Sequence, residues 1–156
     1  MLLRELSEAI GVSGDEGAVR KLVIEAIKDH VDELRIDALG SVTAIKKGTG
    51  KNLPRVMLDA HMDEIGFMIT GIDGNGLLRF TNIGGIDDRI LPGLRVKVGK
   101  DLLQGVIIWT PIHHGYDQNV VKLKSLRIDI GASNKDGASK VKAGDRVVFD
   151  SAYMEI

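Results

Sequence analysis

Hydrophobic positions follow helical spacing only near the N-terminus of this chain. Leu3, Leu6 and Ile10 are separated by charged residues, which predicts a short helix over 2–10 stopped by Gly11. Ser13 followed by Glu16 has the form of a capping box, so a second helix is expected to begin just after Ser13. In it Val19, Leu22, Val23, Ala26, Ile27 and His30 share a face, while Arg20, Lys21, Glu25, Lys28 and Asp29 lie elsewhere. From ELRIDALGSVTAIKKG onward the pattern alternates, giving two strands with a turn at Leu39-Gly40-Ser41. KGTGKNLP is a loop by composition, and Arg55–His61 then reads as a strand. Val56, Leu58 and Ala60 project to one side of it and Met57, Asp59 and His61 to the other. Both sides are largely apolar until the end, as expected of an inner strand in a sheet covered by helices.

After Phe67 helical periodicity almost disappears. A hairpin is expected around Asp73-Gly74-Asn75-Gly76, and a second one turning at Gly99-Lys100-Asp101. A polar loop, PIHHGYDQNVVKLKS, leads to the strand LRIDIGA. Ser133 to Asp136 look like the start of a short helix weakened by Gly137, and DRVVFD is a final strand. Five or six short, closely spaced strands suggest a small barrel or sandwich. A domain boundary is placed near Phe67 to Ile69.

Composition narrows the chemistry. A net charge of −1 offers no electrostatic case for nucleic acid or an anionic membrane as partner. The chain has no cysteine, which removes disulfides, thiolate zinc sites and cysteine nucleophiles. No apolar run approaches a membrane span, no signal peptide is seen, and a cytoplasmic protein is the expectation.

The candidate chemistry lies in VMLDAHMDEIGF. His61 ends the proposed strand, where open α/β folds place ligand sites. Asp63 is two residues on and leaves the same face if the chain stays extended. That suits a histidine bound to zinc or cobalt, with the carboxylate holding its other ring nitrogen. From spacing alone a partly buried histidine with a satisfied hydrogen bond competes with this reading. Glu64 points away and is assigned to structure. The adjacent His113 and His114 read as a solvated loop, and His30 as a structural residue near a helix C-terminus. GIDGNG is a turn rather than a phosphate or calcium loop, because the residues that complete either motif do not follow. Trp109 and Tyr116 read as core or edge packing.

Several stretches together resemble the TET-type glutamyl aminopeptidases, a family that includes cellulase-like or endoglucanase-like metallopeptidases. HMDEIGFMI resembles the family's metal-binding strand, and GVSGDEGAVR its opening helix cap. IDALGSV is similar to its Asp-x-x-Gly-Asn turn, with Ser41 in place of the usual Asn. LRFTNIGGIDDRILPGLRV and LRIDIGASNKDGA look like its inserted domain. The resemblance implies an α/β class: a partial three-layer α/β catalytic domain over 1–67, followed by a six-stranded β-barrel, the lid or dimerization domain, over 68–156. It also implies a site holding two divalent metals, zinc or cobalt, in an aminopeptidase that trims peptide substrates and forms homo-oligomers. Carried over, His61 is a metal ligand and Asp63 the active-site carboxylate that steadies it.

The family's returning half carries a bridging Asp, a Glu pair giving the general base and a ligand, then another Asp and a His. None of these can be assigned here, since the sequence reaches DSAYMEI about where that return would begin. One histidine and one outer carboxylate do not enclose a zinc ion. The expected function is therefore the N-terminal portion of a dinuclear aminopeptidase, inactive as this chain alone. The alternatives are a non-catalytic interaction module and, more weakly, a glycan-acting protein. Against the last, only 4% of residues are aromatic, and no acidic pair is placed for glycoside hydrolysis. The first 67 residues are expected to leave an open sheet edge and an uncovered apolar face, and the chain to oligomerise over them.

Overall fold

A computed structural model describes residues 2–109 and 121–155. The chain divides into two compact units. One runs to Asp63 and takes back the segment after Ser151; the other is Glu64–Ser151. Phe67, expected to close the first domain, lies inside a strand of the second unit.

The first unit holds helices α1 (Leu2–Glu8) and α2 (Gly17–Ile27), a 3-10 turn at Lys28–His30, and strands β1 (Glu33–Ile36) and β2 (Val42–Ile45). The two strands pair antiparallel, from Glu33 opposite Ile45 to Ile36 opposite Val42. Asp37 makes the turn: its carboxylate accepts from the amides of Leu39 and Ser41, both at 2.9 Å. Among the described residues only Val12 and Val19 are buried apolar side chains in this unit.

The expected strand at Arg55–His61 is not formed. No regular structure is assigned from Leu53 to Asp63, and Val56, Met57 and Leu58 are 81%, 84% and 94% exposed. The reason is physical. A strand is held by ladder hydrogen bonds to a neighbour, and the only sheet in this unit among the described residues is the β1–β2 pair. Apolar alternation marks where a strand belongs in a completed sheet, and it does not supply the partner.

The second unit is a closed barrel. Its strands are β3 (Gly66–Ile72), β4 (Leu78–Ile83), β5 (Arg95–Val98), β6 (Leu103–Ile108), β7 (Arg127–Asp129) and β8 (Arg146–Phe149), in the ring order β3-β4-β7-β6-β5-β8. Both expected hairpins are present, β3–β4 around Asp73–Gly76 and β5–β6 around Gly99–Asp101. A bulge at Thr70 lets Ile69 face Phe80 and Gly71 face Arg79. Phe67, Ile69, Leu78, Val96, Val98, Ile107, Ile128 and Val147 fill the interior with essentially no exposure. Each such side chain contributes about 1.5–3 kcal/mol by leaving water. Phe67 meets Phe80 and Phe149 edge to face, with centroids 5.1 and 5.2 Å apart. The helix expected from Ser133 is not formed. Asn134 instead caps Gly137 at 2.9 Å, and successive turns carry the chain to Val141, burying Ala138 and Val141 under the barrel.

The barrel's thinnest seam is β4–β7, where Leu78 opposite Ile128 is the one registered pair. Asp73, in the turn beside it, supplies charge: its carboxylate accepts from Arg127 Nε at 2.6 Å and lies 3.2 Å from Arg79 Nε. The Arg127 hydrogen bond is the largest cause of a carboxyl titration held below the ordinary Asp range, with partial desolvation opposing it.

A carboxyl depressed in the folded state stabilises the fold above its unfolded pKa, and that contribution is lost as pH falls through the folded value. Asp73→Asn should therefore lower stability by roughly 1 kcal/mol at neutral pH, and the difference from wild type should close as pH falls below the ordinary Asp range. Urea unfolding across pH measures it. Leu58→Asp should change the unfolding free energy of monomeric protein by less than about 0.5 kcal/mol; a loss of several would place Leu58 in a core.

Candidate functional site

The segment that connects α1 to α2 is shaped by two glycines. A Cβ on Gly11 would meet Val19 Cγ2 at 2.6 Å and the Met62 carbonyl oxygen at 3.3 Å, so only glycine lets the two backbones approach this closely. Gly14 has φ +84°, and the Asp15 amide donates to the Val12 carbonyl at 2.7 Å, closing a tight turn around Ser13. The expected capping box is absent. The residue before α2 is Glu16, no side chain caps the helix, and the Glu16 carboxylate accepts instead from the Gly14 amide.

Ser13 is turned elsewhere. Its hydroxyl donates to Asp63 Oδ2, fifty residues along the chain. The other Asp63 oxygen is 3.0 Å from His61 Nδ1, and the Asp63 main-chain oxygen is 2.9 Å from the same nitrogen. An ionised carboxylate and a carbonyl only accept hydrogen bonds, so in the neutral ring Nδ1 carries the proton. Nε2 keeps its lone pair. The His61 side chain is 85% exposed and that of Asp63 40%. The Asp63 carboxyl titrates below the ordinary range, chiefly because the Ser13 hydroxyl bonds its charged form; desolvation opposes this and the His61 bond adds to it.

One imidazole backed by a carboxylate is a well-oriented ligand, but a bound zinc ion takes three or four protein ligands. Among the described residues no group of three or more His, Asp or Glu is arranged to hold a metal ion. The described residues therefore do not fit a complete metal centre. His30 is exposed in the 3-10 turn after α2, away from any such cluster. His113, His114 and Tyr116 lie outside the described residues, and Trp109 is 38% exposed at the end of β6. Glu64 opens the barrel unit.

A separate hollow of about 370 Å³ lies at the start of α2, lined by Asp15, Glu16, Arg20 and Asp37 among others, and it does not include His61 or Asp63. The Arg20 guanidinium donates there to the Gly40 carbonyl at 3.1 Å, tying α2 to the β1–β2 turn. Sequence spacing gives no signal for either the Ser13–Asp63 or the Arg20–Gly40 link, because both join residues at least twenty positions apart.

Residues 40–156 match the M42 glutamyl aminopeptidase family. A lysyl aminopeptidase of Pyrococcus furiosus is 37% identical over 147 residues, covering 90% of this chain and 42% of that protein. The structure of an aminopeptidase from the archaeon Desulfurococcus kamchatkensis is 41% identical with a TM-score of 0.92, over 99% of this chain and 44% of that one. A TET peptidase of Pyrococcus horikoshii, described as assembling into a tetrahedron or a large octahedral shell, is 40% identical with a TM-score of 0.82, over 96% and 46%. The chain spans less than half the length of these relatives. With more than half of its residues matched by the family and the six-stranded barrel in place, the chain belongs to the M42 glutamyl aminopeptidase family.

Proposed function

We propose that the chain contributes the N-terminal portion of a dinuclear-metal aminopeptidase, with the unit that runs to Asp63 belonging to the catalytic domain and the barrel unit, Glu64–Ser151, forming its lid or dimerization domain. His61 is read as a ligand to one of two divalent ions, zinc or cobalt, and Asp63 as the carboxylate that steadies it. The observation that carries this is the His61 ring itself: Nδ1 donates to Asp63, and Nε2 keeps its lone pair on a side chain that is 85% exposed. The lysyl aminopeptidase relative supports a peptide substrate trimmed from its N-terminus. No helix among the described residues is long and apolar enough to cross a membrane, and a cytoplasmic setting fits the reading.

On this reading the chain does not catalyse the reaction alone. Hydrolysis at a two-metal centre needs further ligands and a base that takes a proton from water. No step is assigned to this chain beyond orienting one imidazole. The remaining ligands would come from additional polypeptide of the same kind as the other half of the relatives.

A second reading, a non-catalytic oligomerisation module, is favoured by the barrel, which closes on itself with its own core. In both readings the bare apolar run at Val56–Leu58 favours self-association, and the shell-forming relative supports it.

Purified chain with added zinc or cobalt should show no cleavage of aminoacyl-nitroanilides; turnover would contradict the ligand accounting. Light scattering at micromolar concentration should give a mass above that of the monomer, and Leu58→Asp should lower it. A strictly monomeric wild-type chain would remove the case for self-association.

A further inference from the structure

We propose that Ser13 is a positioning residue for His61: its hydroxyl holds one oxygen of Asp63 so that the other fixes the Nδ1–H tautomer and leaves Nε2 open. The geometry is a chain of three side chains, Ser13 Oγ to Asp63 Oδ2, then Asp63 Oδ1 to His61 Nδ1 at 3.0 Å. Each member has a defined role. The serine is a donor here, the carboxylate accepts on both oxygens, and the imidazole donates through Nδ1.

The backbone is built to deliver Ser13 to this task. Gly11 brings the segment against the Met62 carbonyl, Val12 is fully buried and anchors it, and Gly14 in the left-handed region completes the turn. The residue type commonly spent on capping the following helix is withheld from it, and α2 starts with no side-chain cap. Asp63 needs such a tether. Its side chain is 40% exposed and follows a segment without regular structure, so without Ser13 the carboxylate is free to rotate towards water. The His61 ring would then keep only its bond to the Asp63 main-chain oxygen, at 2.9 Å. Half of a two-acceptor arrangement would be lost, and with it part of the bias between the two ring tautomers.

This assignment deepens the reading of His61 as a ligand, and its test is separate from that reading. The full chain, labelled with nitrogen-15 at histidine, is examined by NMR at about pH 8, where an ordinary imidazole is neutral. Wild-type His61 should be mostly in the Nδ1–H form. Ser13→Ala should shift its tautomer ratio towards Nε2–H by about threefold or more, the scale of losing one charge-assisted hydrogen bond. Asp63→Ala should shift it as far, and Ser13→Thr, which keeps the hydroxyl, should restore the wild-type ratio. Ser13→Cys, close in volume with a weak donor, gives the comparison if the alanine variant does not fold. If the folded variants lower helix content or stability while the His61 tautomer ratio stays at its wild-type value, Ser13 serves the helix alone and the proposal is overturned. The measurement uses neither metal nor turnover. An inactive chain therefore leaves it intact, and an unchanged tautomer ratio leaves the metal-ligand reading standing.

Discussion

Backbone amides and carbonyls in a strand need partners, and this requirement separates the two parts of the chain. In the barrel each of the six strands has a neighbour on both sides, so the ring needs no further polypeptide to satisfy it. Its apolar side chains close over Phe67 and leave no buried charged residue among those described. Where the ladder is thin, at β4–β7, Asp73 and Arg127 supply an ion pair in its place. The run from Val56 to His61 has comparable apolar character and no such ring to join. It lies unpaired, with its side chains in water.

The same distinction explains what could be read in the sequence. Both barrel hairpins are local: Asp73–Gly76 and Gly99–Asp101 carry their turn chemistry within a few residues of the strands they connect. The β1–β2 turn is local too, because Asp37 bonds amides two and four residues ahead. The alternation over Arg55–His61 predicts a strand that does not form, because alternation reports the environment a segment is suited to and a strand also needs a neighbour. The start signal at Ser133 predicts a helix, and Asn134 does cap an amide, but the following residues bury Ala138 and Val141 rather than extend a helix.

The candidate site was half legible. His61 and Asp63 are two residues apart, so their proximity follows from local geometry, and the tautomer follows from acceptor chemistry. Ser13 was legible only as a possible cap, since a hydroxyl near a helix start has two uses and sequence spacing favours the local one. Which use wins depends on Gly11 and Gly14, whose effect is to bring distant backbone within reach.

The way the barrel begins and ends has its own consequence. Phe67, the second residue of β3, pairs antiparallel with Val147, so the start of β3 runs alongside the end of β8 at Phe149. Entry and exit are thus neighbours on one rim. To a host protein such an insert resembles a short surface loop, because the two attachment points stay close whatever is folded between them.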